Sequence, residues 1–549
     1  MWLQGCPTVP LNHILSSQAM LFLISSLCSV IVLTLKTNSK IIGWGDKMTH
    51  KKVIVIGAGG AVLTAAIEAS MAGADVTVIT KTSAGLGTCT AYGAGFFTVP
   101  VCGMSREEHF TKTLEVGKGI NDPSLVRVLS DKSEDSLKRL AELGVKIEFT
   151  RGSANTRSTA PNELMGGAGF VGQLVEIAKR SNVKFIEWTV VTSLDLIKEK
   201  ISGVSAVDWR TGKPLSLKAD AVIIATGGGG QIYRRSDNPA RMTGDGYSLA
   251  KRAGVELIDM EFVQFYPIGW AEPGLPVWLA DTGLVDHVRI TDDAGDEFFI
   301  RAIKEWGYKN GAEANLFARD RCSVLMAKKE EKGPVFAHLE DVHDEKWEDR
   351  GLQYSLTIDR RFFDHFRRPV RISPIQHYMS GGIKIDDECR TGISGLFACG
   401  EAAGGVDGAN RIGGNAFSNI VTFGMIAGRN AAGDAVWESK LHHEPKECPP
   451  VVNYETGTEP SRLRAELQKT AWDLLGPVRS EKSISQVQEK IKEITKRHMN
   501  IDSPIEMLLA LEMRGLIDTA ELVAEAALRR KVSLGTHFRE DDRSLSCGN

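Results

Sequence analysis

The chain has 549 residues, 66 Lys and Arg against 69 Asp and Glu, a formal net charge of −3, 42% apolar and 25% charged residues. This size supports two to four domains, the composition is that of an ordinary globular protein, and the near-neutral balance excludes nucleic acid and acidic lipid as electrostatic partners. Nine cysteines are scattered without a CxxC pair, so no metal site, zinc motif or iron–sulfur motif is predicted, and the thiols read as single buried side chains in a reducing compartment.

Residues 19–35 are apolar and uncharged, a borderline length for a membrane span. Their flanking charge, Lys36 and Lys40, follows them, which is the wrong order for a secretory signal. Residues 1–47 therefore read as an extension the fold does not need, with a membrane anchor as the alternative. Met48 stands just before the first strand.

The stretch 51–81 organises the rest of the chain. An apolar strand at 53–56 runs into Gly57-Ala-Gly59-Gly60, a helical pattern covers 61–72, and a second strand covers 75–79. Strand, glycine turn and helix N-terminus form a pyrophosphate cradle, because glycines permit close backbone approach and the helix start offers free N–H groups and a positive dipole end. The third fingerprint position is Val62, so the helix is expected slightly further from the strand. The second strand ends in Thr80-Lys81, where an NAD site often carries a ribose-binding acid; this favours FAD or an altered ribose contact.

Residues 88–98 are small and glycine-rich, fit to run along an extended cofactor. A helix is expected over 105–145, a polar loop over 149–169, a helix over 170–180, a strand at 183–187 and a hairpin of 190–197 with 203–208. The buried-strand pattern at 221–225 enters Thr226-Gly227-Gly228, a second place where backbone N–H groups meet a ligand. Asp245 precedes a helix over 247–253 and either caps it or accepts from ligand hydroxyls. Residues 275–370 are richer in charge and aromatics and read as an inserted domain with hinges near 269–274 and 369–374. A short strand at 396–400 precedes Glu401 and the glycine-rich run holding Arg411 and Asn415, a ligand-site pattern, and a helix follows over 419–432. Residues 440–455 read as a linker, and 461–475, 484–498 and 505–531 as amphipathic helices.

The motifs GAGGA at Gly57, ATGG at Ala225, TGDG at Thr243, MEFVQF at Met260, ARD at Ala318, HYMSGG at His377, ANRIGGNAF at Ala409 and the tail LGTHFRED together resemble the flavoprotein family of succinate dehydrogenases, fumarate reductases and L-aspartate oxidases. The resemblance implies an α/β protein: a Rossmann-like FAD-binding domain (48–274 and 371–440), an inserted α+β capping domain (275–370) and a C-terminal helical domain (455–549). The FAD contacts it implies fall at Gly57, Gly59, Gly60, Ala61, Thr80, Lys81, Thr88, Gly95, Ala225, Thr226, Gly227, Asp245, His377, Gly400, Glu401, Arg411, Asn415, Ala416 and Ser418. Several relatives attach FAD to a histidine where this chain has Thr88, so non-covalent FAD is expected, with a lower potential and a bias toward reduction.

The family's chemistry is hydride transfer between flavin N5 and a carbon of a dicarboxylate, with a cap arginine exchanging the proton on the neighbouring carbon. Arg319 matches that arginine; a surface salt bridge with Asp320 is its alternative. His377 and Arg411 match the carboxylate-binding pair, a buried structural histidine being the alternative for His377. Three departures stand out. A carboxylate-binding histidine is Tyr266 here. The acid that relays protons to the cap arginine is missing or replaced by Asp281. The family's RGEGG stretch has become Leu284-Val-Asp286-His287-Val288. One carboxylate clamp is kept and the other rebuilt.

The expected function is FAD-dependent oxidation or reduction of a CH–CH bond in a small organic acid. Alternatives are an amino acid CH–NH bond, an acyl thioester, or a non-catalytic electron-relay subunit. Without cluster cysteines, long-range electron transfer needs an iron–sulfur partner chain. The expected location is cytoplasmic, peripheral to the cytoplasmic membrane through partners or through residues 19–35.

Overall fold

The computed structural model describes residues 50–156, 166–363, 368–433 and 453–544, and the chain from Lys51 onward forms one compact unit. The N-terminal segment, including residues 19–35, and most of the 440–455 stretch lie outside the described residues.

Strand β1 (Lys52–Ile56), helix α1 (Gly60–Met71) and strand β2 (Asp75–Ile79) form the expected unit. The helix expected over 105–145 is two, α2 (Arg106–Val116) and α3 (Pro123–Glu142). Gly117 closes the first; Lys118 and Gly119 follow at positive φ, and Asp122 with Pro123 restarts the helix as N-cap and N1. The expected loop after residue 149 holds a hairpin, Ile147–Thr150 with Ser153–Thr156, turned at Gly152. Helix α4 (Gly166–Arg180) and strand β3 (Lys184–Ile186) follow. The hairpin Thr189–Ile197 with Lys200–Asp208 gains a third strand, Lys213–Lys218, whose Pro214 is tolerated because the strand is at the edge.

Strand β4 (Ala221–Ile224) and helix α5 (Asp245–Arg252) lead to β5 (Val263–Trp270). Helices α6 (Gly311–Phe317), α7 (Arg319–Glu330) and α8 (Arg350–Leu356) precede β6 (Val370–Met379) and β7 (Leu396–Ala398). Helix α9 (Asn415–Ala432) is followed by α10 (Pro460–Leu475), α11 (Glu481–Thr495) and α12 (Pro504–Arg529).

The first sheet is all parallel, in the order β7-β4-β1-β2-β3. Strands β1, β4 and β7 are near-continuous buried apolar runs, as strands covered on both faces are. A second sheet, built on the antiparallel pair β5–β6, carries its own core of Ile268, Trp270, Phe298, Phe299 and Ile372 among others. The C-terminal helices bury Leu467, Val487 and Leu516 in the same core as the parallel sheet.

Helices α1 and α9 cross at backbone contact. A Cβ on Gly428 would stand 2.2 Å from the Ala65 carbonyl oxygen, and one on Gly424 would stand 2.1 Å from Thr64 Oγ1. Gly428→Val is expected to cost about 3 kcal/mol or more through overpacking, read as a fall of several degrees in Tm. Gly172→Ala on α4, where an added Cβ meets nothing within 4 Å, is expected to leave Tm unchanged or raise it. Equal Tm values for the two variants would remove the packing explanation.

Candidate functional site

Register brings the glycine-rich segments to one edge. Ile56 pairs with Ile79 and Ile224, Ile224 with Ala398, and Ile79 with Ile186. The ladder runs one residue further: Gly57 N–H donates to Ile79 O, Ala225 to Ile56 O, Thr80 to Ile186 O and Cys399 to Ile224 O. Gly57, Thr80, Ala225 and Cys399, with Gly400 next after it, therefore leave the sheet at its carboxyl edge together, the usual ligand crevice of an open α/β sheet.

Gly57 has φ +126°, and a Cβ there would lie 2.7 Å from Ala225 O and 2.9 Å from Val62 Cγ2. The side chain of Val62 thus occupies the space over a residue that has none. Helix α1 begins at N-cap Gly59 with no side-chain cap and no acid in its first turn, so its positive end is left for an anion. Thr226 Oγ1, Ser380 Oγ, Asn419 Oδ1 and Arg411 Nε are buried without a partner. An uncapped helix start, a glycine cradle and orphaned buried polar atoms fit an extended phosphorylated cofactor such as FAD.

Glu401 lies against the second glycine turn. Its Oε1 accepts from Met379 N–H at 3.0 Å, and a Cβ on Gly228 would come within 2.5 Å of it. Burial pushes its carboxyl up to about 7, against the opposing pull of the Met379 amide and Arg411. Lys81 is engaged within the protein. Its Nζ meets Asp245 at 2.7 Å, Thr243 Oγ1 at 2.7 Å and the fully buried Glu512 at 2.9 Å. Asp245 neither caps a helix nor stands free: Gly244 is the N-cap of α5, and the Asp245 carboxylate holds Lys81.

Other residues singled out from sequence also spend their side chains internally. Thr88 accepts from Ala91 N–H as N-cap of the short helix Cys89–Tyr92. Thr80 Oγ1 accepts from Thr82 N–H. Asn415 is fully buried, with its amide on Thr113 Oγ1 and its carbonyl on His109 Nε2. Ser418 donates to Thr98 O. Gly95 is packed against Thr156 and Gly166. Gly60 N–H donates to Thr90 Oγ1, a contact the sequence did not reveal.

Tyr266, His377 and Arg411 meet on the β5–β6 pair, and Arg319, first residue of α7, reaches them. The Arg319 guanidinium carbon lies 4.3 Å from the Tyr266 ring centroid, and that ring meets His377 edge-on at 4.8 Å. Arg411 lies 4.2 Å over the Tyr378 ring, donates from Nη2 to Gln264 Oε1 at 3.0 Å and from Nη1 to Ile412 O at 3.2 Å. Burial pushes the His377 imidazole down and Asp237 pushes it up, while Arg411 and Arg319 add to the downward push.

Arg319 makes no ion pair with Asp320. Its Nε donates to Asn315 Oδ1 at 2.9 Å, and Asn315 Nδ2 donates to Asp281 Oδ2 at 2.7 Å. Asp281 thus lies one amide away from Arg319 rather than in direct contact with it. Burial pushes Asp281 above the usual carboxylate range, with the Gly283 amide and Arg319 pulling it down. Arg319 Nη1 is buried and unpartnered.

Asp237 was invisible in the sequence. Its Oδ2 lies 2.7 Å from His377 Nδ1, and Asn238 Nδ2 donates both to Asp237 Oδ1 and to the His377 carbonyl. Asp407 accepts from the Tyr378 hydroxyl at 3.0 Å and is pushed up to about 6 by burial, with Arg411 opposing. Neither acid stands in a recognisable motif; each is found only because β6 and its neighbouring loops fold onto it.

Residues 52–417 match the model of an FAD binding domain, and residues 464–544 match that of the fumarate reductase flavoprotein C-terminal region. The chain is 31% identical to one of the subunits of the fumarate reductase (CoM/CoB) of Methanothermobacter marburgensis, covering 89% of this chain and 94% of that one. It is 29% identical to the L-aspartate oxidase of Streptomyces coelicolor, covering 89% and 88%. Its fold superposes on the Mycobacterium smegmatis Sdh1 complex in the apo form with a TM-score of 0.74 and 26% identity, covering 90% and 89%.

Glu401 supplies a pH test. Between the ordinary carboxyl value of 4.5 and about 7 the unfolded chain has lost the proton that the folded chain keeps, so stability falls as pH rises through that window. In FAD-free protein, Glu401→Gln is expected to flatten that decline and to gain on the order of 2 kcal/mol at pH 8. Parallel Tm–pH curves for the two proteins would sink the assignment.

Proposed function

The chain belongs to the FAD-dependent flavoprotein family of succinate dehydrogenases, fumarate reductases and L-aspartate oxidases, and on that premise we propose that it reduces or oxidises the CH–CH bond of a small organic acid. Bound FAD supplies a hydride donor or acceptor at N5. The residues that would hold it are the Gly57 to Ala61 turn, the Ala225 to Gly227 turn, and Gly400 with Glu401. Thr88 has no nucleophilic nitrogen to bond the flavin, so FAD is held non-covalently.

The observation that carries the reading is the convergence of Arg319 and His377 on the Tyr266 ring, with Arg411 within electrostatic reach of His377. Arg411 grips a carboxylate through its planar fork, and the bound carboxylate raises His377 against the burial that pushes it down, so that its imidazolium joins through Nε2–H. Asp237, on Nδ1, fixes the ring's tautomer and stabilises its charged form. Arg319 donates a proton from its free Nη1 edge to the carbon beside the one that receives hydride. Asn315 and Asp281 hold that edge in place by fixing Nε.

Electrons arrive from a separate chain in this proposal, because the sequence has no CxxC pair for clusters of its own. The Methanothermobacter relative is one subunit of its reductase, and the superposed mycobacterial neighbour is part of a complex. Among the described residues no helix is long and apolar enough to cross a membrane. We place the protein in the cytoplasm, reaching a membrane face through such a partner.

The first test is anaerobic: protein reduced with dithionite is mixed with unsaturated acids and flavin reoxidation is followed. Arg319→Ala is expected to keep FAD, released from both proteins on denaturation, and to lose turnover by roughly a thousandfold or more. Turnover near wild type would remove Arg319 as proton donor. Because the clamp needs the imidazolium, KM is expected to rise as pH rises through the His377 titration. Asp237→Asn moves that limb to lower pH and raises KM at pH 7.5 roughly tenfold, with kcat changed far less. A KM–pH profile that does not move would show that Asp237 has no hold on the charge of His377.

A further inference from the structure

Resting on the function proposed above, we infer that the acid this site takes has one carboxylate, with a flat uncharged group, aryl or conjugated, across the double bond from it. The two ends of the site differ in charge. At one end stands the Arg411 guanidinium, held by Gln264, with the His377 imidazole and its Asp237 beside it. At the other stand Tyr266, Asn315 and Asp281, with Arg319 as the cation they share.

Arg319 has little left for a second carboxylate. Its Nε is given to Asn315, one of its faces is covered by the Tyr266 ring, and its remaining free nitrogen edge is the one the proton transfer uses. Among the described residues no other Lys or Arg touches Tyr266 or Asn315, and His377, which meets the Tyr266 ring, is held by Asp237. A carboxylate placed there would meet the charge of Asp281, one amide length away from Arg319.

What that end offers is aromatic surface. The Tyr266 ring is edge-on to His377 and faces Arg319, so its position is set from two sides. Tyr354 on α8 is brought beside Asp281 because Asp281 N–H donates to Ser355 O at 2.9 Å, and its own phenol is within electrostatic reach of Asp281, Tyr266 and Arg319. Tyr354 is 74% exposed, an aromatic side chain at the same end with a face to spare. A flat apolar substituent gains from stacking there, where a carboxylate would lose hydration without a partner.

The test uses the FAD-loaded protein and three probes: cinnamate, crotonate and fumarate. Two readouts are taken, equilibrium binding to the oxidised protein by calorimetry and reoxidation of the dithionite-reduced flavin. Cinnamate is expected to bind at least tenfold more tightly than fumarate and to reoxidise the flavin faster, with crotonate between them. Fumarate binding more tightly and reacting faster would overturn the inference and leave the proposed function standing. Failure of all three acids to reoxidise the flavin would overturn both.

Tyr266→His is expected to move the cinnamate-to-fumarate binding ratio at least tenfold toward fumarate. Tyr266→Phe, which keeps the ring and its packing, is expected to hold the ratio within threefold of wild type. A ratio that follows the hydroxyl, lost in Phe and unaffected in His, would overturn the aromatic basis of the selection.

Discussion

The site depends on one constraint, the register of a parallel ladder. Ile56, Ile79, Ile224 and Ala398 end their strands at the same level, and each strand sends its next residue out over a neighbour's last carbonyl. Slip any strand by one residue and the turn that follows it leaves the edge out of line with its neighbours. The glycine turns are consequences of that alignment: Gly57 passes under the Ala225 carbonyl at a distance that excludes a Cβ.

Around the turns the protein buries charge in compensated groups. Glu512 on α12 is fully buried among Lys81, Arg241 and Arg464, which ties the C-terminal helix to the end of β2. The reaction end repeats the plan with Asp237 on His377 and Asp407 facing Arg411 across Tyr378. Removing one member leaves its partner charged in a dry place, a cost of several kcal/mol, so such groups hold geometry more than they add stability.

Much of this was legible in the sequence. The βαβ unit, the strand at Ala221 and the three C-terminal helices follow from periodicity and glycine placement, and Arg319, His377 and Arg411 from their motifs. The break between α2 and α3 was missed although Gly117, Gly119 and the Asp122–Pro123 pair mark it. Asp237 and Asn315 were missed for a different reason. Each acts on a residue far away in sequence or one helical turn away, His377 and Arg319, and only packing shows the pairing. Lys81 was singled out as a ligand contact and Asp245 as a ligand contact or helix cap, and the pairing of their side chains shows only in the fold.

The tail closes on the site from behind. Thr536 N–H and Oγ1 both donate to the carbonyl of Ala409, 127 residues earlier, and Gly535 approaches that carbonyl too closely for any side chain. The loop that carries Arg411 is therefore braced by chain that leaves the ribosome long after it. A nascent protein can fold its first sheet early, but its grip on an acid must wait for the segment at Gly535 and Thr536 to arrive. A product truncated before Gly535 would retain the cradle without a braced clamp.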